Sequence, residues 1–244
     1  MDKNVEVIGL IYKSTDYLEF LSSQLKSKFC KVDGWNVGVR IIANDATPEV
    51  LNSLQNVNIP YTIYNDSRPD DYYLNRVYRC HNFGAKTSKY DNICFINSDI
   101  LLSEKWLDNL LFYHDGINIP VSRLVESGKM PSGAYAISNF FGTHPKNIMY
   151  KEWEKYVKEI KQFKLALGGL YGPVVFNKQR FFDAGMYPEG NIYEDGIAGS
   201  LNGQVVKSSD DFFFHDILET HFGMRHITVF DSVVYHIQEG EKDE

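Results

Sequence analysis

From residue 5 to residue 113 the sequence alternates between short apolar runs rich in Val, Ile and Phe and segments whose apolar residues recur every three to four positions. Val5 to Tyr12 is a buried-strand run, and Leu18, Leu21, Leu25 and Phe29 then mark a helix over Asp16 to Lys28. Val37 to Ala43 is the second strand. It is followed by Thr47, placed to cap a helix, and Pro48, placed in the first turn, with the helix running to Gln55. Tyr61 to Tyr64 is a third strand, Leu74 to Lys86 a helix, and Asn92 to Ile96 a fourth strand that ends on Asn97-Ser98-Asp99. A helix over Lys105 to Tyr113 closes this half. Strands that alternate with helices in this way pair in parallel and are covered on both faces, so the expected class is α/β with a mainly parallel central sheet.

The second half is less regular. A strand is expected over Ile117 to Val125 and a loop over Gly128 to His144. Trp153, Val157, Ile160, Lys164 and Leu167 predict one amphipathic helix over Tyr150 to Leu167. Gly172 to Phe176 reads as a strand, Gln179 to Ala184 as a short helix, and Gly190 to Ser209 as a Gly-rich loop of a length associated with lids. A helix over Phe212 to Phe222 and two short strands, Ile227 to Phe230 and Ser232 to His236, complete the chain. At 244 residues, one domain is the expectation.

A net charge of −7 without clustered Lys and Arg argues against a nucleic-acid surface, because phosphate binding depends on basic clusters that release counterions. No segment has the roughly 18 to 20 consecutive apolar residues of a membrane span. Cys30, Cys80 and Cys94 are odd in number and far apart, which suggests neither a disulfide framework nor a zinc site. These features predict a cytoplasmic protein.

Chemistry-bearing residues collect at the ends of the expected elements. Asp99 ends an apolar strand, where an acid either holds a divalent cation against a diphosphate or caps the following turn. Asp210 and Asp211 open the late helix. There the positive end of the helix dipole holds a carboxylate ionised, so the pair offers either a general base or a cap. His236 ends the last strand, as a structural residue or as a ligand for Mn²⁺ or phosphate. Glu194, Asp195 and Asp216 are rival acids, and the other histidines show no metal-ligand spacing. Arg76 and Arg79 either reach a phosphate group or lie on the surface. Trp106, Trp153 and Tyr135 either stack on a sugar or fill the core.

The order of these pieces carries a resemblance. The run Arg79-Cys80-His81-Asn82-Phe83-Gly84-Ala85, followed by Asp91 to Asp99, resembles the core signature of inverting GT-A glycosyltransferases of the family 2 type, an Asn-x-Gly helix before an apolar strand that ends in Asp-x-Asp. Asn97 stands where that motif has its first Asp, so an amide that can bond a ribose hydroxyl replaces a charge. Val7 to Tyr12 resembles the family's first strand, whose end meets the nucleobase, and Ile41 to Thr47 its second, where an Asp at the position of Asp45 contacts the base or ribose. Gly172 to Phe176 with Phe181 to Tyr187 resembles the acceptor side, and Asp231 to His236 resembles the closing strand.

The resemblance implies a GT-A (Rossmann-like) fold with a nucleotide-sugar-binding half, residues 1–122, and an acceptor-binding half, residues 123–244, that carries the catalytic acids. It implies an inverting glycosyl transfer from a UDP-, GDP- or dTDP-sugar to a hydroxyl of a glycan, lipid-linked or protein acceptor, assisted by Mn²⁺ or Mg²⁺. Tyr12, Asp45, Asn82, Asn97, Ser98 and Asp99 are then the donor residues, and Asp99 and His236 the metal ligands. Asp211 is the preferred base by its match to the second acid of the family's pair, with Asp210 the alternative. Two other classes stay open, a nucleotidyltransferase and a non-catalytic GT-A binding module. The transferase reading requires that Asp99 and the Asp210-Asp211 pair face one cleft.

Overall fold

The β12 strand, Arg225–His236, runs beside β6, Asn118–Glu126, and this pairing carries the sheet from the first half of the chain into the second. The computed structural model describes residues 3–129, 133–193, 199–218, 222–238 and 241. The first half holds β1 (Asn4–Ile11), α1 (Thr15–Lys26), β2 (Asn36–Asn44), α2 (Pro48–Leu54), β3 (Tyr61–Tyr64), α3 (Tyr73–Thr87), β4 (Asn92–Ile96), β5 (Ile100–Leu101) and α4 (Trp106–Tyr113). After β6 come β7 (Ile137–Ser138), α5 (Tyr150–Ile160), β8 (Leu165–Leu167), β9 (Val174–Asn177), α6 (Lys178–Asp183), β10 (Gly199–Leu201), β11 (Gln204–Val206) and α7 (Ser209–Phe212).

Among the described residues the main sheet has the order β3-β2-β1-β4-β9-β6-β12-β5, with β7 beside β6 and β8 beside β12. β1 is parallel to β2 and β4, β2 is parallel to β3, and β6 is parallel to β12. β9 lies antiparallel between β4 and β6, so these six strands point the same way and their carboxyl ends share one edge. Ligands of open α/β sheets collect at that edge.

The apolar residues of β1 alternate between two cores, as a strand covered on both faces requires. Val5, Val7 and Ile11 pack with Leu18, Leu21 and Leu25 of α1, while Ile8 and Leu10 join Ile42, Phe95 and Phe213 on the other face. Both early helices start as the sequence dictates. Ser14 accepts the Tyr17 amide at the head of α1, and Thr47 accepts the Val50 amide ahead of Pro48 at the head of α2. Gly84 lets α3 lie close on the sheet: a Cβ there would come within 2.9 Å of Ile42 Cδ1 and 3.3 Å of Ile8. Trp106 and Trp153 are buried in the core, whereas Tyr135 is exposed. The three cysteines are free and buried.

The structure corrects three boundaries. The amphipathic helix ends at Ile160, and its expected last turn is instead the β8 strand, whose Leu165, Ala166 and Leu167 pair with Val229, Thr228 and Ile227. The spacing of Lys164 and Leu167 fits a helix, but the open edge of β12 offers those backbone groups partners. The two expected final strands are one, bent by an irregularity between Val229 and Val233. The late helix starts at Ser209 and passes into a π-helical stretch over Phe213–Leu218. Within the expected lid, β10 and β11 form a hairpin, and residues 194–198, including the rival acids Glu194 and Asp195, lie outside the described residues. No described helix is long and apolar enough to cross a membrane.

A buried ion pair joins the first two strands to α3. Arg40 donates to Glu6 Oε2 at 2.9 Å, to Thr87 Oγ1 at 2.8 Å and to the Gly84 carbonyl at 2.9 Å. Removing one member strands a buried charge, which costs more than the pair contributes. Arg40→Ala is expected to lower unfolding free energy by about 3–5 kcal/mol, read as a fall in urea midpoint at unchanged m-value. A loss near zero would place the pair in solvent.

Candidate active site

A cleft of about 750 Å³ opens along the carboxyl edge of the sheet. Tyr12 at the end of β1, Asn44 at the end of β2, Asn97, Ser98 and Asp99 after β4, Glu126 at the end of β6 and His236 at the end of β12 all line it. Asp210, from the head of α7, lines the same cleft, so the strand-end acid and a helix-opening acid do face one space.

Strand register builds the acidic end. β12 sets His236 opposite Glu126 on one side and Ile100 on the other, one residue from Asp99. His236 Nε2 lies 3.1 Å from Asp99 Oδ2, and Nδ1 lies 3.3 Å from Glu126 Oε1. Burial alone would lower the imidazole's pKa, but the Asp99 charge and the hydrogen bonds to both carboxylates push it up to about 10. The imidazolium is thus the cation between two buried acids. The sequence pattern ends that strand at Val125, whereas β6 includes Glu126. The feature that singled out Asp99, an apolar run closing on an acid, holds for Glu126 as well.

Among the described residues no group of three or more His, Cys, Asp and Glu side chains is arranged to hold a metal. Asp99 and His236 Nε2 form a pair, and Glu126 holds the far ring nitrogen, the arrangement in which a carboxylate fixes the tautomer of a metal-binding histidine. One carboxylate and one imidazole suit Mn²⁺ better than Mg²⁺, provided that substrate oxygens complete the shell. The donor set therefore fits a divalent cation shared with a phosphate ligand, provided that the cation displaces the proton from His236 Nε2.

The two helix-opening acids have different surroundings. The Asp210 carboxylate accepts from the Tyr78 hydroxyl, from Ser208 Oγ and from the Asp211 amide at 2.8 Å. Burial raises its pKa above the ordinary 3.8, with these hydrogen bonds acting in the other direction. Asp211 is not part of the cleft lining; its carboxylate meets the Tyr171 hydroxyl and lies 3.7 Å from both Lys207 Nζ and His215 Nε2. Asp216 pairs with Lys207 at 2.7 Å.

The other residues with an expected phosphate or donor contact fall into two groups. Arg76 lines the cleft and stacks over the Tyr12 ring, 4.1 Å from its centroid. Arg79, for which surface placement was one expectation, is buried and clamped by Asp66 and Asp71. Asn82 lies outside the cleft lining, because its amide donates to the Tyr187 carbonyl at 2.8 Å and accepts the Tyr187 amide at 3.1 Å. Asp45 is also outside the lining. One of its oxygens accepts the Asp66 amide at 2.8 Å, and the other is buried without a hydrogen-bond partner among the described residues. The Oδ1 of Asn44, which does line the cleft, is likewise buried and unfilled. His81 stacks on Phe95 with ring centroids 4.4 Å apart, and burial pushes its pKa down to about 3.

One occupant of the cleft was not foreseen. The Glu241 carboxylate accepts the amides of Tyr12, Lys13 and Ser14 at 2.9, 2.5 and 2.7 Å and the Ser98 hydroxyl at 2.8 Å. Burial pushes its pKa up while those hydrogen bonds act to lower it.

The electrostatic account of His236 has a direct check. In metal-free protein the imidazole should stay protonated through neutral pH and lose its proton near pH 10, followed by ring NMR shifts. Asp99→Asn is expected to bring that midpoint down. A midpoint near 6.5 in the unmutated protein would show that the ion pair does not form.

No protein-family model and no curated protein matches this sequence. Solved structures do match. Mannosyltransferase PcManGT from Pyrobaculum calidifontis, in complex with GDP-Man and Mn²⁺, superposes with a TM-score of 0.54 at 12% identity, over 96% of this chain and 56% of that one. TarS of S. aureus, residues 1–349, superposes with a TM-score of 0.53 at 11% identity, over 97% of this chain and 60% of that one. The chain spans less than two thirds of either structure. The order and direction of its strands, with this likeness, show a GT-A fold.

Proposed function

We propose that the protein is a glycosyltransferase that moves a sugar from a nucleoside diphosphate to an acceptor hydroxyl with inversion. The observation that carries this reading is the shared cleft: the Asp99–His236 pair and Asp210 line one cavity at the carboxyl edge of a GT-A sheet. The relative bound to GDP-Man and Mn²⁺ supports a nucleotide-sugar donor and a divalent cation.

In this proposal residues 1–122 supply most of the donor side. The unfilled acceptor atoms of Asn44 and Asp45 suit the N–H groups of a base or the hydroxyls of a ribose, and Arg76 supplies positive charge beside Tyr12. Asn97 and Ser98 line the same cleft, directly before Asp99 in the chain. Asp99 and His236 would hold Mn²⁺ or, less favourably, Mg²⁺, and the bound cation would offset charge on the departing diphosphate.

Asp210 is the base in this reading, in place of Asp211, because it faces the cleft. Its carboxylate takes the proton of the acceptor hydroxyl as that oxygen bonds to the anomeric carbon. The bond from that carbon to the diphosphate oxygen breaks on the opposite face, and the electron pair leaves with the diphosphate. Tyr78 and Ser208 orient the carboxylate, and burial raises its basicity toward the range useful for proton transfer. Asn97 also favours a second reading, a binding module without turnover, because a neutral amide replaces an acid at the donor site.

A mass-spectrometric screen of UDP-, GDP- and dTDP-sugars with Mn²⁺ or Mg²⁺ tests the function. Donor consumption by hydrolysis or transfer supports it, and donor binding without any turnover favours the module. Asp210→Asn is expected to reduce turnover by at least about 100-fold with donor affinity kept, whereas Asp211→Asn keeps most activity. The reverse order would move the base to Asp211. Because the base acts only when deprotonated, kcat/KM should fall as pH drops through an apparent pKa above 3.8. An acid limb at or below that value would exclude a buried Asp210 as the base.

A further inference from the structure

The contact between Glu241 and the loop after β1 is a filled anion site. We propose that the amides of Tyr12, Lys13 and Ser14, with the Ser98 hydroxyl, form a site for a phosphate group, and that the Glu241 carboxylate is its internal occupant, displaced when that ligand enters.

Three successive backbone N–H groups rarely converge on one acceptor unless the loop is shaped as an anion-binding concavity. Here they do, with donor–acceptor distances of 2.5–2.9 Å, at the head of the 12-residue helix α1, whose dipole favours negative charge. The fourth donor, Ser98, comes from the β4 end and lies beside Asp99, so the site spans two elements. Two cations frame it. Arg76 lies over the Tyr12 ring, and Lys13 Nζ is 5.4 Å from the same ring's centroid. An acid set among these groups satisfies them, and a phosphate group, with more oxygens and more charge, satisfies them further.

The carboxylate is delivered from an anchored position. Gln238 is buried, and its Oε1 accepts Ser127 Oγ at 3.1 Å and the amides of Gly128 and Lys129 at 2.9 and 3.0 Å. Glu241 follows three residues later and bonds the loop after β1 and Ser98. A group held on so short a tether competes at an effective concentration on the order of millimolar. A weakly bound anion in solution is therefore excluded, while a ligand with further contacts in the cleft displaces the carboxylate. That the entering phosphate belongs to a nucleoside diphosphate rests on the function proposed above; the anion site itself does not.

The test uses ¹⁵N-labelled full-length protein, Glu241→Ala and Glu241→Gln, each titrated with inorganic phosphate, UDP, GDP, dTDP and uridine. Glu241→Gln keeps the side chain's bulk, so loss of charge is read apart from loss of volume. At least one nucleoside diphosphate is expected to bind Glu241→Ala about tenfold more tightly than the unmutated protein, with shifts at the Lys13 and Ser14 amides, and Glu241→Gln to fall between. Uridine, which has no phosphate, should show no such gain. If inorganic phosphate gains in the variant while no nucleotide binds any form, the anion site stands and the donor reading falls. Equal affinities across the three proteins for every probe, or a gain for uridine as large as for UDP, overturns the proposal.

Discussion

The placement of His236 between Asp99 and Glu126 is the interaction on which the cleft depends. Asp99 and Glu126, both nearly buried, flank His236 from the two sides of β12, and a buried charge needs a counter-charge beside it. The imidazolium supplies that charge through both ring nitrogens. It reaches the position because β12 stays paired with β6 beyond the irregularity at Val229 to Val233, so that Val233 to His236 remain opposite Arg123 to Glu126. A one-residue slip would turn the histidine to the other face of the sheet and leave the acids facing each other. The last four residues of the strand therefore set the charge beside two acids, Asp99 and Glu126, that lie more than a hundred positions earlier.

Charge in the cleft is arranged by region. Asp99, Glu126 and His236 form one group, Arg76 and Lys13 lie beside Tyr12, and Asp210 stands at the head of α7. Within a low-dielectric cleft such charges act strongly on one another and on any ligand. The two strand-end acids favour a cation, the loop after β1 favours an anion, and Asp210 is left basic by burial.

Much of the fold was legible because the first half is written in elements that answer only to local rules. Tyr61–Tyr64 and Asn92–Ile96 appear as expected, and the Thr47 cap with Pro48 starts α2 where the sequence placed it. The errors lie where a long-range partner overrides local pattern. Leu165 to Leu167 carry helical spacing, yet the edge of β12 takes them as a strand. The resemblance puts Asn82 among the donor residues; in the structure its amide holds the Tyr187 backbone, and Gly84 beside it gives Ile8 and Ile42 room. A residue pattern that marks a family can mark its scaffold as readily as its chemistry.

The adjacent acids Asp210 and Asp211 show the limit of sequence in the site itself. Neighbours on a helix point about 100° apart, so a cleft on one side can receive only one of them. Spacing cannot choose, since both sit in the first turn and both satisfy the dipole argument equally. The two acids are told apart by their partners: Tyr78 of α3 bonds Asp210, while Tyr171 and Lys207 engage Asp211. Those partners lie from 4 to 132 positions distant in the chain, so the rotation of α7 is a tertiary fact that its own residues do not encode. The same reasoning applies to Glu241: in sequence it belongs to a short acidic stretch after the last strand, and only the shape of the loop after β1 gives its charge a place to go.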